Sequence, residues 1–252
     1  MIFPPEFNQL IAQEAAFLVK IAYDQFRNPA WNLGTGYQEL GSLIAQGERF
    51  GFVALNLTTQ NVFVVFRGTQ TGIDWLANLS FPQVAHPWGE VEEGFSGLYQ
   101  QCSLSVITAV QRVLGKPVFV TGHSLGGALA TLATADLAIN GVPAAMYNIA
   151  SPRVGNGSFA GKFNANSQVV GRWRIVNTED IVTTVPLATP NLAGALPPTS
   201  RFALLLLLPT HQLDYTHVGT AVSFTVNNGS IIGNHHINTY IAELAQPPAP
   251  ST

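Results

Sequence analysis

Residues 121–127 read Thr121-Gly122-His123-Ser124-Leu125-Gly126-Gly127, and the reading of this stretch decides the fold. It contains the pattern G-x-S-x-G. Just before it, Val118 to Thr121 has the composition of a short buried strand. Just after it, the Ala/Leu-rich run from Gly126 to Ile139 is a helix that stops at Asn140-Gly141. Strand, sharp turn and helix in that order separate the pattern from a glycine-rich turn with an incidental serine. The requirement is steric. A serine exposed on such a turn has a strained backbone, and side chains two residues to either side would collide there. Gly122 and Gly126 remove them, while Gly127 and Ala128 let the helix approach the sheet. The amino end of the helix then aims N–H groups and partial positive charge at any oxyanion that forms beside Ser124.

Working outward, Leu10, Ile11, Ala15, Leu18, Val19 and Ala22 recur at helical spacing within Phe7 to Phe26, so an amphipathic helix opens the chain. A glycine-rich loop covers Asn28 to Gly36. Phe50 to Leu57 and Val62 to Phe66 form a hairpin around Thr58-Thr59-Gln60-Asn61. Phe95 to Leu114 reads as one helix. Strands follow at Ala145 to Ile149, Trp173 to Val176 and Val222 to Val226, then a last helix at His236 to Leu244 and a flexible Pro-rich tail, Gln246 to Thr252. Strands alternating with helices give an α/β fold, a mostly parallel central sheet with helices on both faces. Neither an internal repeat nor a composition shift divides the 252 residues, so one domain is expected.

Composition excludes several function classes. With 47% hydrophobic and 10% charged residues the chain has the makings of a large core. A formal charge of −3 lacks the electrostatic footprint of a nucleic-acid binder. Cys102 is the only cysteine, which rules out an internal disulfide and a thiolate metal cluster. The longest apolar run, Phe202 to Leu208, is far below the roughly 20 residues that span a bilayer, so no transmembrane segment is expected. The opening MIFPPEFNQL lacks the basic and apolar regions of a signal peptide, and a cytoplasmic location is the expectation.

A nucleophilic serine needs a base, and the base needs an orienting acid. Behind such a turn the acid comes next in the chain and the histidine last. Of Asp136, Glu179, Asp180, Asp214 and Glu243, Asp136 lies within the following helix and Glu243 comes after the last histidines. Glu179 and Asp180 follow the strand Trp173 to Val176, where parallel sheets present functional groups, and Asp180 is favoured. Among the histidines, His86 precedes the serine and His123 adjoins it, which suits packing. His217 enters a strand as a structural histidine, and His211 is a lesser candidate. His235 and His236 stand after the final strand, where the base belongs, so one of these two is chosen. The strand Val62 to Phe66 ends in Arg67-Gly68-Thr69, a tight turn from which Thr69 can join the N–H of Leu125 in holding an oxyanion.

These pieces resemble the class 3 lipase family, the fungal-type triacylglycerol lipases and their bacterial relatives. The resemblance rests on Val65-Phe66-Arg67-Gly68-Thr69, on Ile73 to Leu79, on Gly94-Phe95 and on Thr121 to Gly127. It continues through Ser151-Pro152-Arg153-Val154-Gly155-Asn156, Val176 to Val182 and His217-Val218-Gly219, in the family's order over about residues 60 to 240. It implies an α/β-hydrolase fold, a triad of Ser124, Asp180 and a histidine, Thr69 with Leu125 as the oxyanion hole, and a lid after Thr69. The family's histidine motif fits His235-His236-Ile237-Asn238-Thr239-Tyr240 with His235 first. That choice agrees with a loop position for His235 and a helix-start position for His236. The implied activity is hydrolysis of lipid esters at a lipid–water interface, with no metal or organic cofactor. A carboxylesterase or phospholipase for short-chain or phospholipid esters would share every catalytic residue. A catalytically inactive binding module is the alternative outside enzymes. The segment Leu187 to Gln212 matches no family motif and is read as a wall of the acyl cleft.

Residues 70–81 are the expected lid. Ile73, Trp75, Leu76, Leu79 and Phe81 form its apolar face, with Asp74 and Asn78 opposite. Replacing Trp75 and Leu76 with Ser is expected to reduce hydrolysis of emulsified esters selectively. Equal losses on dissolved and emulsified substrates would argue against a lid.

Overall fold

Strand β3 (Val62–Phe66) shows how the sequence lays down the sheet. All five residues are buried; Phe63 and Val65 enter one core cluster, and Val62, Val64 and Phe66 the other. A strand apolar on both faces must be covered on both. In the computed structural model, which describes residues 2–28, 31–69, 81–186 and 214–247, the described strands place β3 inside a seven-stranded sheet of order β1-β2-β3-β6-β7-β8-β9. Its members are β1 (Tyr37–Ala45), β2 (Glu48–Asn56), β3, β6 (Val118–His123), β7 (Ala144–Ile149), β8 (Val169–Asn177) and β9 (Thr220–Phe224). The pairs β1–β2 and β2–β3 are antiparallel, and every pair from β3 onward is parallel. A separate hairpin joins β4 (Gln83–His86) to β5 (Gly89–Glu92).

Helices α1 (Gln9–Arg27) and α7 (Ile237–Leu244) cover one face. On the other lie α2 (Glu93–Gln100), α3 (Ser103–Gln111), α4 (Leu125–Ile139) and α5 (Gly157–Ala165). A short helix, α6 (Ile231–His235), precedes α7. The side chain of Asn8 caps α1 by accepting from Ile11 N at 3.1 Å. The buried stripe of α1 is Ala12, Ala15, Ala16, Leu18, Val19 and Ala22, whereas Leu10 is exposed. The ends of the two covering helices meet, since the Gln9 and Gln13 amides both donate to the Leu244 carbonyl, at 2.9 and 2.6 Å. Thirteen of the fifteen residues of α4 are buried, so this helix, enclosed on nearly every side, is the central one.

The structure departs from the sequence expectations where elements are short or polar. The helix expected over Phe95 to Leu114 is two helices, broken at Gln101-Cys102. Strand β1 and helix α5 were not read, because Gly41 and several polar residues interrupt the one and Gly157, Gly161 and Asn164 the other. The last strand begins two residues earlier than expected, at Thr220. Gln246, assigned to a flexible tail, is held by Gln9, whose amide donates to its carbonyl at 2.5 Å. Most of the expected lid and all of the segment 187–212 lie outside the described residues, as do 248–252. Phe81, the end of that lid, is buried with its ring against that of Tyr215.

His217 is a structural histidine, its Nε2 bonded to the Thr183 carbonyl at 2.7 Å. Desolvation, reinforced by the Arg174 and Arg153 guanidiniums, lowers its pKa from 6.5 to about 3. The unfolded chain therefore binds a proton that the folded chain refuses between those values. Stability is unaffected above pH 6.5 and falls as pH drops toward 3. Carboxylates titrate mainly below about pH 5, which leaves the upper part of the window to histidines. Urea unfolding of His217→Gln should show a shallower loss of stability between pH 6.5 and about 5 than the unmodified chain.

Candidate active site

Ser124 sits between β6 and α4 with φ 59° and ψ −127°, a left-handed conformation for a residue with a side chain. Its amide donates to the Ile149 carbonyl at 3.1 Å, and its own carbonyl accepts from Gly127 N at 2.8 Å. A Cβ on Gly122 would lie 2.0 Å from the Gly126 carbonyl oxygen, and one on Gly126 would lie 2.5 Å from those of Phe66 and Arg67. The glycines are thus required by backbone meeting backbone, not by contact with Ser124 itself. The end of β3, the end of β6 and the first turn of α4 meet at one point.

Three segments deliver three buried side chains to each other. Ser124 Oγ lies 2.8 Å from His235 Nε2, and His235 Nδ1 lies 2.8 Å from Asp180 Oδ2. The carboxylate can only accept there, so Nδ1 carries the proton and Nε2 is free to accept from the serine hydroxyl. Asp180 follows β8 and caps a 3₁₀ turn, Ile181–Thr184, through a bond from Val182 N to Oδ1 at 3.0 Å. A third donor, the Tyr240 hydroxyl of α7, reaches Oδ2 at 2.6 Å. Charge-assisted bonds of this kind hold a carboxylate in one orientation.

Two asparagines tie His235 to the acid's loop. Asn177 Nδ2 donates to the carbonyls of Val226 (2.8 Å) and Asn234 (3.1 Å), while its Oδ1 accepts from Val226 N at 3.0 Å. Asn234 in turn donates to the Glu179 carbonyl at 3.2 Å and accepts from Asn228 N at 2.6 Å. Sequence reasoning did not single out Asn177 or Tyr240 for this work, although both stand in the stretches quoted for the resemblance. It also placed His235 on a loop. His235 is the last residue of α6, whose five residues are too few to leave a periodic signal. His236 is exposed and caps α7, its Nδ1 accepting from Asn238 N at 3.2 Å.

The remaining candidates sort by position. Thr69 closes the turn after β3, half-buried, and Leu125 opens α4, buried. Between Thr69 and β3, the backbone of Gly68 lies against Ser124, so that a Cβ there would come 3.0 Å from that of the serine. Arg67 fixes this turn: its guanidinium lies between the rings of Phe26 and Phe50, at 4.2 and 4.4 Å, and donates to the carbonyls of Arg49 (2.7 Å) and Gly68 (2.9 Å). Glu179 points away, toward Asn227. Asp136 accepts from Tyr99 at 2.8 Å, Glu243 is on α7, and His86 packs against Phe159. Asp214 is exposed, and His211 lies outside the described residues.

The chain is similar to known proteins in sequence and in fold. Residues 63–189, just over half of the chain, match the family described as lipase (class 3). The chloroplastic galactolipase DONGLE of Arabidopsis thaliana is 30% identical over 243 residues, covering 78% of this chain and 49% of that protein. The secreted mono- and diacylglycerol lipase A of Penicillium cyclopium is 32% identical over 145 residues, 54% of this chain and 47% of that protein. The chain spans about half the length of the curated relatives it matches. A crystal structure of a lipase from Rhizopus microsporus var. chinensis superposes with a TM-score of 0.67 at 22% identity, covering 86% of this chain and 74% of the other. That superposition establishes the shared α/β-hydrolase fold.

Asp180→Asn is expected to lower kcat by roughly 10³–10⁴-fold, because a neutral amide favours the wrong imidazole tautomer. Glu179→Gln should change it little. His235→Ala should be about as damaging as Ser124→Ala, since such groups act as a unit, and His236→Ala mild. Steady-state rates on one dissolved ester rank all five; a reversed order within either pair would reassign that position.

Proposed function

The chain belongs to the class 3 lipases, and on that premise we propose that it is a serine hydrolase cleaving the acyl esters of glycerolipids, triacylglycerol foremost, through an acyl-enzyme on Ser124. The observation that carries the reading is the unbroken series Ser124 Oγ, His235, Asp180, with both links at 2.8 Å.

His235 Nε2 takes the hydroxyl proton as Ser124 Oγ attacks the ester carbonyl carbon. The carbonyl electrons move to oxygen, and that oxyanion is met by the amides of Thr69 and Leu125, the second at the positive end of α4. Asp180 steadies the imidazolium. As the tetrahedral adduct collapses, the ester C–O bond breaks and the alcohol leaves with the proton from His235. Water, deprotonated by the same imidazole, then attacks the acyl carbon, and the free acid departs with Ser124 restored. Residues 70–81 serve as the lid over a single domain, and the substrate is met at a lipid–water interface.

A second reading, esters of polar glycerolipids, is favoured by the relative named a galactolipase. Both readings use the same residues and differ in the head group accepted. Rates on emulsified triacylglycerol, on galactolipid and phospholipid vesicles, and on dissolved short-chain esters separate them. Faster turnover of the emulsion supports the first reading, and preference for vesicles the second. A fluorophosphonate probe should label the protein stoichiometrically and fail on Ser124→Ala. Labelling that survives the substitution would overturn the nucleophile.

A further inference from the structure

His123, beside the nucleophile, is buried, and no cleavage step moves a proton to or from its ring. Its ring lies under that of His235, with centroids 4.7 Å apart and planes tilted by 36°. Its Nε2 lies 2.7 Å from the backbone carbonyl oxygen of His235, and its Nδ1 lies 2.8 Å from the hydroxyl of Tyr23 on α1. Burial, aided by His235, holds its pKa well below the ordinary value, so the ring is neutral and carries one proton. A carbonyl can only accept. The proton is therefore on Nε2, Nδ1 is an acceptor, and the Tyr23 hydroxyl donates to it.

The Tyr23 oxygen keeps its lone pairs for the other side, where the oxyanion turn lies. A Cβ on Gly68 would sit 2.4 Å from that oxygen, and the Gly68 amide works against the rise that burial imposes on the Tyr23 pKa. The same residue's carbonyl is gripped by Arg67 at 2.9 Å. Because a trans peptide sets its C=O and the following N–H on opposite sides, the Arg67 grip on the Gly68 carbonyl determines where the Thr69 N–H points, while Tyr23 contacts the amide side of the same residue. One tyrosine on α1 thus touches both the turn that presents Thr69 and, through one imidazole, the backbone of His235.

We propose that Tyr23 and His123 are positioning residues for the ester-cleaving reaction, a relay that fixes the oxyanion turn and the base relative to each other. The proposal rests on the functional reading above. Neither side chain touches substrate or the reacting atoms. Their work is geometric, and displacement of a reacting group by about 1 Å costs on the order of a hundredfold in rate.

The test uses the full chain and one dissolved ester. Tyr23→Phe and His123→Leu should each lower kcat roughly 10- to 100-fold with KM within about twofold. The double variant should be no slower than the worse single one, because both break one relay. A kcat within about twofold of the unmodified chain, a change confined to KM, or losses that multiply would each overturn the relay. If a variant fails to fold, nitrogen-15 NMR of the unmodified protein decides. His123 should carry a single ring proton, on Nε2, at neutral pH, and a proton on Nδ1 overturns the proposal. Ser124→Ala run alongside separates the two claims. Turnover that persists in it defeats the functional reading, whereas an inert Ser124→Ala beside a fully active Tyr23→Phe defeats the relay alone.

Discussion

The contact on which the site depends is one of backbone with backbone, where the ends of β3 and β6 and the first turn of α4 come together through Gly122 and Gly126. No side chain fits there. That absence allows Ser124 its strained φ of 59° and brings the turn after β3 against it. The strain is held by bonds on both sides, from Ser124 N to Ile149 and from Gly127 N back to Ser124, and by a core that encloses most of α4. Pre-set geometry of this kind removes reorganisation from the moment of reaction.

The acid and base rest on a different principle. Asp180 and His235 come from segments with no such close approach, and side-chain bonds supply the rigidity. Asn177 and Asn234 bind the two loops to each other by four hydrogen bonds to backbone atoms beyond them, and Tyr240 adds a donor to the carboxylate. Buried polar networks with every member satisfied specify a single arrangement. The nucleophile is therefore placed by what the chain lacks, and its partners by what the chain carries.

This difference explains what could be read from the sequence. A glycine spacing is a local pattern, so Ser124, the strand before it and the helix after it were legible from 121–127 alone. Asp180 followed from chain order and from its place past β8. The hairpin of β2 and β3 showed itself by β-branched and aromatic runs. Asn177, Tyr240 and Tyr23 did not stand out, because an asparagine after a strand or a tyrosine on a helix acquires its role only when distant segments meet. The one-turn helix bearing His235 is too short for a periodicity, and β1 is half polar because it lies at the sheet's edge. Phe81 reads as part of an apolar lid face, and its contact with Tyr215 is one that tertiary context alone decides.

The meeting of α1 with α7 bears on when the site can form. Gln9 and Gln13 hold the Leu244 carbonyl, so α1 and α7 close one face of the sheet together across more than 230 residues of chain. Contacts that distant in sequence form late, after the local ones. On a ribosome, Ser124 and its elbow emerge and can pack long before residue 235 is made. Until then the serine has no base, and Tyr23 waits on α1 with nothing to hold in register. For the proposed reaction, the base joins the serine only once residue 235 has been made and placed. A nascent chain that stops short of it can carry Ser124 on its turn without the imidazole that would accept the hydroxyl proton.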